Sequence, residues 1–171
     1  MRILEIGPGK SRIPNADTLD ITNDCTYRAV WGVDKLPIAN NSYDLIYTSH
    51  VLEHVPWFQT KAALEEAYRI LKNGGCIEIW VPNFKYIIEC YIHNQYGDDW
   101  IKYNNREYPI CWVASRIFSY GPNFNWHKAI FDEDYLRFCL NNTGFTNIAL
   151  LDKPRTDSHG PINLGITGTK L

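Results

Sequence analysis

The stretch Ile3-Leu4-Glu5-Ile6-Gly7-Pro8-Gly9 is a brief apolar run broken by one acid and stopped by Gly-Pro-Gly. A run that short, ended by turn-forming residues, reads as a buried strand entering a tight loop. Outward from it the pattern recurs. Thr18-Leu19-Asp20-Ile21 is expected as a second strand, Ala29-Val30-Trp31 as a third, and Tyr43-Asp44-Leu45-Ile46-Tyr47 as a firmer fourth. Across residues 57–71 the apolar period lengthens. Phe58, Ala62, Leu64, Ala67, Tyr68 and Leu71 share one face, which predicts an amphipathic helix ended by Asn73-Gly74-Gly75. Residues 76–81 then read as a fifth strand, closed by Pro82. Asp132 is the expected N-cap of a helix reaching Thr143, with Tyr135, Leu136, Phe138, Cys139 and Leu140 turned inward and Gly144 past its end. Residues 146–151 form the next strand, and the alternation across residues 162–166 suits a final antiparallel one. Strands alternating with helices predict an open α/β sheet, mostly parallel and flanked by helices, in one domain over residues 1–171.

Composition narrows the function. The 171 residues are 45% hydrophobic and 21% charged, which suits a folded domain and excludes a disordered chain. A net charge of −2 supplies no basic excess for phosphate backbones, so no nucleic-acid partner is expected. The five cysteines form no C-x-x-C pair, so neither a zinc knuckle nor a dithiol redox centre is expected. The first residues lack the apolar run of a secretory leader, and no stretch approaches the roughly 18 apolar residues of a membrane span. The expectation is a cytoplasmic protein with no membrane partner.

In open α/β sheets, ligands bind beyond the carboxyl ends of the strands. Three nucleotide loops compete for Gly7-Pro8-Gly9-Lys10-Ser11-Arg12. A phosphate-binding P-loop would need its first glycine at Leu4, inside the strand. A dinucleotide loop would need its third glycine at Arg12 and its ribose acid about 20 residues on, whereas Asp20 follows Gly9 too closely. What remains is an acid followed by Gly-Pro-Gly.

That remainder resembles the first motif of the class I S-adenosylmethionine-dependent methyltransferases of the type 11 group. Leu36 to Val55 ("LPIANNSYDLIYTSHVLEHV") is similar to that family's fourth-strand segment, and Arg69 to Asn83 ("RILKNGGCIEIWVPN") to the helix and fifth strand beyond it. The resemblance covers most of residues 1–151 and implies a Rossmann-like sheet with S-adenosylmethionine as cofactor. It implies Glu5, Gly7, Pro8, Gly9, Asp20, Asp34, Ser49 and His50 as cofactor-binding residues, with Asp20 on the ribose and Asp34 at the adenine. A sulfonium and an amino-acid tail suit an acid and backbone donors, and a carboxylate such as Asp20 can accept from two ribose hydroxyls. The plainer reading is that Gly7 and Gly9 only turn the chain while Asp20 and Asp34 occupy solvated turns. One departure from the family is the link between the first two strands. It is too short for the usual helical crossover, so the glycine loop is expected to be less buttressed.

For the methyl acceptor, residues 84–126 are expected to form an aromatic-rich cap inserted after the fifth strand. They hold 12 of the chain's 24 aromatic residues, enough to build either a small core of their own or a pocket for sugars and flat apolar molecules. His50, His127 and His159 are the candidate general bases, since an imidazole titrates near neutral pH. The plainer role for each is structural. His50 and His54 flank Val51-Leu52-Glu53, but no third ligand is near in sequence, so no metal is expected. The reading is therefore an enzyme that O-methylates a small molecule or glycan, in an unspecified oligomeric state. The alternative is a non-catalytic scaffold or binding module of the same fold.

Overall fold

A computed structural model describes residues 1–95, 109–119, 126–156 and 159–171. Seven strands form one sheet: β1 (Ile3–Ile6), β2 (Asp17–Asp20), β3 (Tyr27–Arg28), β4 (Tyr43–Ser49), β5 (Leu71–Pro82), β6 (Thr146–Leu151) and β7 (Asn163–Thr169). Their spatial order is β3-β2-β1-β4-β5-β7-β6, and all neighbours are parallel except β7, which runs antiparallel to both β5 and β6. Among the described residues the α-helices are α1 (Thr60–Ile70), α2 (Phe84–Ile92), α3 (Pro109–Phe118) and α4 (Glu133–Thr143). The expected open, mostly parallel, Rossmann-like α/β sheet is present.

The central strands are buried on both faces, as parallel strands covered by helices must be. Leu4, Ile6, Ile46, Ile77, Ile79 and Val81 pack with Leu64, Ala67 and Ile70 of α1 and Leu136 and Leu140 of α4 in one continuous core. Helix α4 begins and ends as its sequence requires. The Asp132 side chain accepts from Tyr135 N, and Gly144 closes the helix in the left-handed region at φ 104°.

Several local expectations need correction. Helix α1 stops at Ile70, and the Asn73-Gly74-Gly75 turn lies within β5, where the register against β4 slips between Tyr43 and Leu45. The buried side of α1 holds Ala63 and Ile70, while Phe58 is exposed in the 3-10 turn before it. In α4, Tyr135 and Phe138 face outward. The third strand is Tyr27–Arg28, ahead of the expected Ala29-Val30-Trp31. Those residues instead enter a turn closed by Asp34 N donating to Val30 O at 2.9 Å.

The short link from β1 to β2 has no helix, yet it is tied down. Gly7 N donates to Leu19 O at 2.8 Å, and Ile13 N donates to the Glu5 carboxylate at 2.8 Å. The acid of the motif thus does part of the buttressing that a crossover helix does elsewhere. Of the expected cap, α2 and α3 share a small cluster of Ile87, Cys90, Trp112 and Val113, separate from the main core. The cap aromatics Tyr96, Trp100, Tyr103, Tyr108, Tyr120 and Phe124 lie outside the described residues. Among the described residues, no helix is long and apolar enough to cross a membrane.

Candidate functional site

The carboxyl ends of β1 and β4 open onto a cavity of about 250 Å³. Glu5, Gly7, Pro8, Gly9 and Ser49 line it, and His159 and Thr156 complete it from the segment before β7. Six residues expected from the sequence therefore meet at one place.

The two glycines have different jobs. Both lie in the left-handed region, Gly7 at φ 65° and Gly9 at φ 55°. A Cβ on Gly7 would stand 2.3 Å from Val51 Cγ2, so the loop packs there against the turn after β4. A Cβ on Gly9 would meet no atom within 4 Å, so that position leaves its wall of the cavity open. Glu5 is 2% exposed, and burial pushes its carboxyl pKa up despite the Ile13 amide and nearby Arg12. A buried acid beside an open glycine wall fits an ammonium or sulfonium ligand, and Lys10 in the same lining adds a positive charge suited to a carboxylate.

Asp20 ends β2, and its Oδ1 accepts from Thr22 N at 3.0 Å. It stands outside the residues lining this cavity, on the strand next to β1. Asp34 is exposed, and its Oδ2 accepts from Val30 N at 2.7 Å, closing its own turn.

His50 is held firmly. It is a non-glycine residue at φ 55°, a conformation that costs roughly 1–2 kcal/mol and aims the side chain off the end of β4. Its Nε2 lies 2.7 Å from Asn163 Oδ1 and its Nδ1 3.1 Å from Glu53 Oε1, so both ring nitrogens are engaged. Burial depresses its pKa, but Glu53 and Asn163 outweigh burial and raise it overall. Glu53 is 1% exposed; burial drives its pKa up, and the facing histidines, His50 first, bring it net below the ordinary carboxylate value.

Beyond Glu53 stands His127, with Nε2 3.9 Å from Glu53 Oε1 and Nδ1 3.1 Å from Ile117 O. Burial lowers its pKa and outweighs Glu53. On the other side, the His50 ring lies 3.8 Å from that of His159, tilted by 43°. The three histidines singled out from the sequence thus join one line of contacts, His159–His50–Glu53–His127. That line runs from the glycine-loop cavity to a wide groove of about 740 Å³, lined by His127 with Trp57, Phe84, Phe118, Phe131 and Tyr135. Sequence reasoning missed Glu53 as the hub because a Glu after a strand is ordinarily a solvated residue. It also missed Thr156, which the buried Tyr47 hydroxyl holds at 3.0 Å. No local pattern marks either one.

Residues 4–79 match the family model described as a methyltransferase domain. Among curated proteins no sequence matches the chain. Solved structures of the same fold include an S-adenosylmethionine-dependent methyltransferase from Archaeoglobus fulgidus, at TM-score 0.60 and 16% identity, covering 99% of this chain and 86% of that one. Another from Methanosarcina mazei aligns at TM-score 0.61 and 16% identity, over 99% and 92%. A third, a possible histamine N-methyltransferase from Thermotoga maritima, aligns at TM-score 0.59 and 17% identity, over 99% and 82%. At such identities the likeness is one of fold, while the family match covers the glycine loop and the strands around it. Residues 4–79 are thus similar to a methyltransferase domain, and the whole chain shares its fold with solved S-adenosylmethionine-dependent methyltransferases.

Proposed function

We propose that this chain is an active enzyme that methylates an oxygen of a small molecule or sugar, with S-adenosylmethionine as the donor. The observation that carries the reading is the cavity at the glycine loop, which gathers Glu5, Gly9, Ser49 and His159. Glu5 would face the cationic end of the cofactor and Gly9 would leave room for it, with Asp20 at the end of β2 for the ribose and Asp34 for the adenine. When bound, the cofactor supplies an electrophilic methyl group. The residues around the cavity would then have to orient the acceptor oxygen and take up the proton that it loses.

His159 is the better-placed proton acceptor of the three histidines. It lines the cavity, whereas His50 and His127 stand outside the residues that line it. His50 then acts as a positioning residue, its ring in tilted contact with that of His159. The aromatic groove at the far end of the histidine line supports an acceptor with flat or sugar-like faces.

The test is calorimetry with S-adenosylmethionine, then activity profiling with labelled cofactor against sugars, glycans and phenolics. Micromolar binding and label transferred to an oxygen are expected. No binding would favour a non-catalytic scaffold. Label on nitrogen or carbon would overturn the O-methyl assignment.

A further inference from the structure

Glu53 is 1% exposed, and neither of its carboxylate oxygens has a well-aligned hydrogen-bond donor; the His50 contact at 3.1 Å is close but poorly directed. A buried carboxylate needs cationic or donor partners; His50 supplies one at 3.1 Å, and the side facing His54 and His127 can take another. Two imidazoles flank it in the same way. His54 Nδ1 lies 3.2 Å from Trp126 O, and His127 Nδ1 lies 3.1 Å from Ile117 O. A carbonyl only accepts, so each Nδ1 carries a proton, and each neutral ring keeps its lone pair on Nε2. Metal-bound imidazoles are held by this device, with the second nitrogen donating to a carbonyl to fix tautomer and orientation.

One donor atom from each of Glu53, His54 and His127 lies within 4.8 Å of the others. The backbone locks the two segments that carry them, since Lys128 N and Ala129 N both donate to Glu53 O, at 2.7 and 3.0 Å. We propose that Glu53, His54 and His127 bind one divalent transition-metal ion of the zinc class.

Two imidazole nitrogens and one carboxylate oxygen suit zinc and its neighbours, whereas magnesium and calcium want oxygen donors. Tetrahedral bonds of about 2.0–2.1 Å place donors roughly 3.4 Å apart, so the side chains close slightly around the ion. A small cavity of about 10 Å³ touching Glu53 and His127 has room for one water as a fourth ligand. Arg116 shares the wall of that cavity. Its charge opposes any cation there, so the imidazole nitrogens must supply the affinity. The site lies outside the glycine-loop cavity, and metal binding is read without methyl transfer, so the two proposals stand or fall separately.

The test uses the full chain, stripped with chelator and desalted, then titrated with Zn²⁺ alone by calorimetry and with Co²⁺ alone by visible absorption. One equivalent is expected, with a rise in Tm. His54→Gln and His127→Gln should each weaken binding by at least about tenfold, and the double variant should abolish it. His93→Gln, an exposed histidine away from the cluster, should change nothing. Should a variant fail to fold, imidazole nitrogen spectra of the unaltered protein decide, because only His54 and His127 should shift at Nε2 when Zn²⁺ is added. No binding at micromolar metal overturns the proposal. So does one-equivalent binding that survives the double variant, or spectra in which neither ring shifts.

Discussion

The imidazoles of His50 and His159 lie 3.8 Å apart, one fixed at the end of β4 and the other in the segment before β7. Only His159 lines the glycine-loop cavity. His159→Ala should therefore lower kcat by roughly 100-fold or more while cofactor affinity stays within a few-fold. His50→Ala should have the smaller effect on kcat, with its loss appearing also in KM, because it acts through the placement of its neighbour. Single-turnover kinetics with an unmethylated acceptor that the enzyme uses would separate the two. A larger chemical defect in His50→Ala would reverse the assignment.

Asp20→Ala should weaken S-adenosylmethionine binding by more than tenfold without unfolding the chain. One carboxylate oxygen is already held by Thr22 N at 3.0 Å, so the group is oriented before the ligand arrives. Charge-assisted hydrogen bonds to ribose contribute about 1.5–3 kcal/mol each, which sets the size of the loss. Calorimetry reads it directly, and an unchanged Kd would remove Asp20 from the site.

Gly7→Ala and Gly9→Ala should fail in different ways. At Gly7 a Cβ would stand 2.3 Å from Val51 Cγ2, so the variant should lose stability, by about 2 kcal/mol or more with the backbone strain included. At Gly9 nothing lies within 4 Å, so only the strain of φ 55° remains, about 1–2 kcal/mol. The new methyl then enters the cavity. Gly9→Ala should melt close to the unaltered protein yet bind cofactor weakly. Equal melting temperatures for the two variants would contradict this division of roles.

The sheet and the glycine loop were legible because apolar runs and turn residues are local signals, and residues 3–9 carry both. Phe58, Phe138 and Tyr135 misled because a helical period identifies a stripe of residues without saying how wide the buried stripe is. The placement of α1's end failed for a related reason: Asn73-Gly74-Gly75 is a turn signal, and a turn within a strand looks the same as one ending a helix. Glu53 was legible only in part: His50, three residues before it, is a local neighbour, whereas His127 and the backbone bonds of residues 128 and 129 come from far along the chain.

The edge of the sheet beneath the glycine loop should carry a pH signature. Asp17 accepts from the Tyr43 hydroxyl at 2.7 Å and from Arg2 Nε and Nη2 at 3.0 and 2.9 Å. The Tyr43 hydrogen bond, with Arg2, holds the Asp17 pKa below its ordinary 3.8. The unfolded chain takes up that proton first on acidification, so the contribution is complete well above pH 3.8 and is lost as pH falls through the lower folded value. Tyr43 moves the opposite way. Burial first, then the bonds to Tyr27 and Asp17, push its pKa above the ordinary 10.0, so its share holds below pH 10 and is lost only above it. Asp17→Asn should therefore cost about 1 kcal/mol near pH 7, a figure kept small because a third of the side chain meets solvent. Urea denaturation of both proteins at pH 7 and pH 3 reads the difference. The gap should shrink by at least half at pH 3. A gap that stays constant would mean that the Asp17 charge contributes nothing and that only its shape is used.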